Sequence, residues 1–133
     1  MNNLICIVDD DEDIRSILTF ALEFEGMHSV SFESARDAET YLLTLSLDSL
    51  PCLMIVDYMM PEMDGVEFIK LLRDNYPNTF AHIPIALSTG RLPDSSEGLP
   101  DNIITLEKPV DLNTFLTVAK EHYFSPQETY SLS

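Results

Sequence analysis

The stretch Leu4-Ile5-Cys6-Ile7-Val8-Asp9-Asp10-Asp11-Glu12-Asp13 sets five apolar residues against five acidic ones with no transition between them. An Ile- and Val-rich apolar run of that length reads as a buried strand, and the carboxylates read as the loop into which it empties. They therefore stand at the C-terminal end of the strand. Next come Ile14, Ile17, Leu18, Ala21 and Leu22, spaced i, i+3, i+4, i+7 and i+8, which predicts a helix with one apolar face that Gly26 stops.

The strand-then-helix unit recurs along the chain. Met27 to Phe32 is strand-like. Ser34, with Asp37 three residues on, has the look of a capping box ahead of the apolar stripe Ala38, Tyr41, Leu42 and Leu45. A third strand, Cys52 to Val56, ends in Asp57; Asp64 then caps a helix carrying Val66, Ile69, Leu72 and Tyr76. A fourth strand, Ile83 to Leu87, runs into Ser88-Thr89-Gly90, and a fifth, Ile103 to Leu106, into Glu107-Lys108-Pro109. Asp111 caps a last helix with Leu112, Phe115, Leu116 and Ala119 on one face. Such alternation predicts an α/β fold: a doubly wound, five-stranded parallel sheet with helices on both faces. Ligands of such sheets bind beyond the carboxyl ends of the strands. Those ends carry Asp9, Asp10, Asp57, Thr89 and Lys108.

Composition narrows the field of functions. With 133 residues and 45% apolar content the chain is expected to be one globular domain. Its net charge of −16 repels nucleic-acid backbones and anionic lipid alike, so no direct nucleic-acid or membrane partner is expected. The N-terminus lacks the basic flank and cleavage site of a secretory signal, and no long apolar span occurs, so a cytoplasmic location is expected. Cys6 and Cys52, each within an apolar run, are expected to be reduced core thiols.

Three carboxylates crowded at one rim repel each other unless a cation sits among them. Oxygen-only ligation suits Mg2+, Mn2+ or Ca2+ rather than zinc, and Mg2+ is commonly held by one or two carboxylates together with phosphate oxygens. An ammonium and a hydroxyl on the same rim are what phosphoryl transfer needs to neutralise the equatorial oxygens. A carboxylate that attacks phosphorus forms an aspartyl phosphate, a labile anhydride suited to a reversible signal.

Val8-Asp9-Asp10, the run Val56-Asp57-Tyr58-Met59-Met60-Pro61-Glu62-Met63-Asp64-Gly65, Pro84 through Thr89-Gly90, and Lys108-Pro109 together resemble the receiver domain of two-component response regulators in order and spacing. The resemblance implies a CheY-like, flavodoxin-like fold, with residues 1–124 as the receiver domain and 125–133 as a short polar tail. It implies Asp57 as phosphoacceptor, Asp10 and Asp57 as direct Mg2+ ligands, Asp9 as a ligand through water, and the Met59 backbone carbonyl as a further ligand, with Mn2+ able to substitute. Thr89 and Lys108 would each meet a phosphoryl oxygen, and Lys108-Pro109 would be cis. Met59 and Arg91 would flank the phosphoryl group. The implied partners are a histidine kinase or histidine phosphotransfer protein and an unknown downstream protein. The domain would be a phosphoacceptor that assists its own phosphorylation and dephosphorylation, not an enzyme.

The sequence also departs from the family. An aromatic residue is usual three positions before the lysine; Thr105 stands there. Residues 90–102 contain Pro93, Gly98 and Pro100 and no apolar stripe, which predicts a fourth helix that is short or replaced by loop. Several rival readings fail on particular residues. The acidic run from Asp9 has Ile14 and Phe20 where a calcium loop needs Gly and Glu, so Asp11, Glu12 and Asp13 are assigned to the helix N-terminus. A haloacid-dehalogenase-like phosphatase needs an acid two residues after its nucleophile, where this chain has Met59. His28, His82 and His122 have no metal-ligand spacing.

Overall fold

The computed structural model describes residues 2–90 and 99–124. In it β1 (Asn2–Val8), β2 (Ser29–Phe32), β3 (Pro51–Asp57), β4 (Ile85–Thr89) and β5 (Ile103–Glu107) alternate with α1 (Glu12–Phe24), α2 (Ala35–Leu42), α3 (Gly65–Asn75) and α4 (Leu112–Tyr123). No helix follows β4 directly within the described residues, and the segment 91–98, on which the expected loss of a helix falls, lies outside them. So do Arg91 and the tail 125–133.

The sheet is parallel throughout, in the order β2-β1-β3-β4-β5. β3 lies at its centre and is buried along its whole length, which is why its sequence is an unbroken apolar run rather than an alternation. Alternate side chains serve two core layers. Cys6, Val8, Met54, Val56, Ile85 and Leu87 meet α2 and α3 on one face. Ile5, Ile7, Leu53, Ile55 and Ala86 meet α1 and α4 on the other. Cys6 and Cys52 are both buried, as their apolar context predicts.

The element ends follow the capping chemistry read from sequence. Asp11 caps α1, accepting from the Asp13 and Ile14 N–H groups at 2.9 and 3.3 Å, with Glu12 and Asp13 in the first turn. Gly26 ends that helix region at a φ of 79°, a conformation that suits glycine. Ser34 caps α2 through the Asp37 N–H at 3.1 Å, while the reciprocal capping box forms at α3 between Asp64 and Glu67. Asp111 accepts from both the backbone and the hydroxyl of Thr114, and these two hydrogen bonds hold its carboxyl below the usual carboxylate range.

Several sequence readings need correction: β2 begins at Ser29 rather than Met27, and Leu112, expected on the apolar face of the last helix, is exposed. The fourth strand begins at Ile85 and runs to Thr89, because Phe80–His82 form a 3-10 turn ahead of Pro84. Ile17, expected on the apolar face of α1, is 53% exposed; with Phe20 and Phe24 it forms a second apolar stripe turned to solvent. A strip spaced i, i+3 and i+7 satisfies helical periodicity without stating which part of a wide apolar arc meets the sheet.

Candidate functional site

The strand order reverses between β2 and β3 around β1, and the crevice opened there lies beyond the carboxyl ends of β1 and β3. Val8 and Val56 are paired in the ladder, so Asp9 and Asp57 leave the sheet side by side. Asp9, Asp10 and Asp57 each bring a carboxylate oxygen to within 4.8 Å of the others. Asp57 and Asp9 are buried and Asp10 is exposed.

Lys108 reaches this group from the end of β5. Its Nζ is 2.8 Å from Asp57 Oδ1 and 3.5 Å from Asp9 Oδ2. The β4–β5 ladder places it there, since the Lys108 N–H donates to the Thr89 carbonyl at 2.7 Å and Thr89 pairs with Glu107. Thr89 is buried at the last position of β4, and the Lys108-Pro109 peptide is cis, as the resemblance implies. Met59 lies in the loop after β3 with its side chain 71% exposed. Thr105, where an aromatic residue is usual, is exposed on β5.

The electrostatics match that geometry. Burial is the largest influence on Asp57 and, with the charge of Asp9, pushes its carboxyl up from 3.8 to about 6 against the opposing pull of Lys108. Burial acts to lower the Lys108 pKa, but its hydrogen bond to Asp57 and the charges of Asp57 and Asp9 carry it above its ordinary value. The pocket thus holds more negative charge than one ammonium neutralises. An oxygen-lined, over-acidic cluster of this kind fits a hard divalent cation. None of the three histidines joins it.

Sequence reasoning missed three supports. The Arg15 guanidinium donates to the Asp9 carbonyl at 2.7 Å while the Asp11 N–H donates to Asp9 Oδ1 at 2.9 Å, so Asp9 is held at both ends. A lone basic residue in the first acidic turns of α1 was the available signal. Gly65 packs so closely on β3 that a Cβ there would lie 2.5 Å from the Asp57 carbonyl oxygen. Buried Ser88 accepts from the Tyr58 N–H at 2.8 Å and so anchors the start of the loop after Asp57.

Comparison with known proteins agrees with this arrangement. A family model described as "Response regulator receiver domain" matches residues 5–120. The chain is 34% identical over 85 residues to the DNA-binding transcriptional regulator NtrC of Proteus hauseri, covering 64% of this chain and 16% of that protein. It is 43% identical over 70 residues to an uncharacterized 14.6 kDa protein of Leptolyngbya boryana, covering 53% of this chain and 50% of that one. The matches thus span half or less of these relatives' lengths.

Among solved structures, a response regulator receiver protein from Pseudomonas putida aligns with a TM-score of 0.75 at 25% identity, covering 91% of this chain and 98% of that one. The receiver domain of a signal transduction histidine kinase from Syntrophus aciditrophicus aligns at 0.73 and 28% identity, covering 92% and 90%. The chemotaxis protein CheY4 of Vibrio cholerae, at 21% identity, a TM-score of 0.76 and coverage of 92% and 99%, shares the fold. With the family model spanning most of the chain and the sheet order and acidic rim in place, the chain belongs to the response regulator receiver domains of two-component signalling.

Proposed function

We propose that residues 1–124 act as a Mg2+-dependent phosphoacceptor that takes a phosphoryl group onto Asp57 from a phosphohistidine on a kinase or phosphotransfer protein and thereby changes which proteins it binds. The observation that carries this reading is the joint placement of three carboxylate oxygens within 4.8 Å of one another and an ammonium 2.8 Å from Asp57. An Asp57 oxygen forms the new bond to phosphorus as the phosphorus–nitrogen bond of the donor breaks. Lys108, freed from its pair with the Asp57 carboxylate, neutralises one phosphoryl oxygen, and the Thr89 hydroxyl donates to another. Asp10, Asp57 and the Met59 carbonyl would hold Mg2+ directly and Asp9 through water; Mn2+ would serve in its place. When bound, that ion supplies positive charge to the phosphoryl oxygens.

The stripe of exposed Ile17, Phe20 and Phe24 lies on the helix capped by Asp11 and runs from its second turn to its last residue. It suits a helix of the phosphodonor protein, which has to bring its histidine to the acidic rim. The acidic surface and the regulatory role both favour a protein partner in the cytoplasm over nucleic acid or membrane. No described helix is long and apolar enough to cross a membrane.

Incubation with acetyl phosphate and Mg2+ tests the reading. A stoichiometric, acid-stable and base-labile adduct that disappears in Asp57→Asn is expected. Labelling of Asp57→Asn at the wild-type rate would refute the assignment, and multiple turnover of the phosphodonor would make the protein a hydrolase.

A further inference from the structure

Only Asp9 and Asp10 connect Val8, the last residue of β1, to Asp11, the cap of α1. Asp9 is fixed through its backbone and its side chain. Its N–H donates to the Phe32 carbonyl at 3.1 Å, its Oδ1 accepts from the Asp11 N–H at 2.9 Å, and its carbonyl accepts from Arg15 at 2.7 Å. Asp10 is exposed, yet its carboxylate meets those of Asp9 and Asp57 in one cluster.

The Asp9 carbonyl and the Asp10 N–H belong to one planar peptide unit. A hydrogen bond that fixes the carbonyl therefore fixes the plane, and with it the direction in which the Asp10 side chain leaves the loop. Arg15 makes that bond from near the start of α1, where the helix dipole disfavours a cation. Its half-buried guanidinium is a planar fork of donors, suited to holding an oxygen at a set angle.

Toward a metal ion, the charge and the hydrogen bond of Arg15 act in opposite senses. The charge repels a nearby cation, so its loss alone tightens binding. Loss of the hydrogen bond frees the Asp9–Asp10 peptide to rotate and weakens binding. Two divalent ions separate these effects further, because Mg2+ demands near-ideal octahedral geometry whereas Ca2+ accepts irregular arrangements. A change of charge acts alike on both, and a change of position falls mainly on Mg2+.

We propose that Arg15 is a positioning residue for the metal site: by holding the Asp9 carbonyl it aims Asp10, and so makes the acidic rim selective for Mg2+ over Ca2+. The proposal rests on the reading of this rim as a divalent-cation site. Groups that orient metal ligands from outside are commonly worth about ten- to a hundredfold in affinity, and Arg15, acting through the backbone of one ligand, belongs at the lower end.

The test is calorimetric titration of the full chain with Mg2+ and, separately, with Ca2+. It needs no phosphodonor and is independent of phosphoryl transfer to Asp57. Arg15→Met keeps an apolar stem and removes both the charge and the donors, whereas Arg15→Lys keeps the charge and a more flexible donor. In Arg15→Met the Mg2+ dissociation constant should rise about tenfold and that of Ca2+ by less. Arg15→Lys should bind Mg2+ more tightly than Arg15→Met and less tightly than wild type. Should Arg15→Met fail to fold, as judged by far-UV circular dichroism in EDTA, Arg15→Lys decides alone: a lower preference for Mg2+ over Ca2+ than in wild type supports the proposal, and an equal preference overturns it. Unchanged or tighter Mg2+ binding in Arg15→Met, an equal change for both ions, or Arg15→Lys no better than Arg15→Met would also overturn it. Wild-type protein that binds neither ion would overturn the cation-site reading and this proposal with it; wild type and variants that bind alike overturn the proposal alone.

Discussion

Replacing Asp57 by Asn should stabilise the metal-free protein, although it removes the residue on which the proposed function depends. The carboxyl of Asp57 is raised from 3.8 to about 6, chiefly by burial and then by Asp9, despite the Lys108 ammonium 2.8 Å away. A carboxyl raised on folding favours its neutral form, so the stabilisation it offers is complete below about pH 4 and is lost as the pH climbs through about 6. Asn resembles the neutral carboxyl at every pH. At about 1.4 kcal/mol per unit the shift corresponds to roughly 3 kcal/mol at most. Because Asp10 on the same rim is exposed, and Lys108 can turn outward in the variant, about 1–2 kcal/mol is the expected gain at neutral pH. The chain has no tryptophan, so urea unfolding is best followed by far-UV circular dichroism, in EDTA, from about pH 4 to 8. The stability gap between Asp57→Asn and wild type should be small at the acid end and plateau above about pH 6. Adding Mg2+ at ten times its Kd should return about 1.4 kcal/mol to wild type and less to the variant. A variant less stable than wild type in EDTA at neutral pH, or a gap that does not change with pH, would refute the account of a pocket strained by its own charge.

Other substitutions probe the same pocket from different sides. Asp9 is already engaged by the Asp11 N–H and by Lys108, so Asp9→Ala should weaken Mg2+ binding by about tenfold, in line with an outer position, and Asp10→Ala by more. Equal affinities in a metal titration of the two variants would undo that division of roles. Gly65→Ala drives a Cβ to 2.5 Å from the Asp57 carbonyl oxygen and 2.8 Å from a Leu87 methyl, and should cost about 1–3 kcal/mol in urea unfolding as strand and helix part. An unchanged midpoint would show that the close approach relaxes without cost. Met59→Asn offers the attacking water a partner that the thioether does not, so its phosphoryl label should decay faster than that of wild type. Equal or slower decay would count against a role for this side chain at the pocket mouth.

The sheet and the rim were largely legible from the chain alone, because both rest on local signals. An unbroken apolar run, as at Cys52 to Val56, describes a strand covered on both faces, and a run of this kind ending in Asp57 must deliver that carboxylate at the sheet's edge. Caps at Asp11, Ser34, Asp64 and Asp111 were equally readable, since each depends on a side chain reaching a backbone two or three residues away. Where local signals were ambiguous, the boundaries slipped. Ile83 and Pro84 extended the apolar run of β4 at its start, yet the turn at Phe80–His82 precedes them and the first paired residue is Ile85, with only the Pro84 carbonyl joining the ladder by accepting from the Met54 N–H.

Tertiary structure alone decided how these pieces act on one another. The exposure of Ile17 depends on which arc of α1 meets the sheet, and helical spacing describes an apolar face without saying what covers it. The hold of Arg15 on the Asp9 carbonyl and the contact of Gly65 with Asp57 join residues through space, at distances that only the packed helices set. The rise of the Asp57 pKa is of the same kind. Its carboxylate is an ordinary acid in the sequence, and it becomes strained only when parallel strands bring Asp9 beside it and the folded core takes away its water.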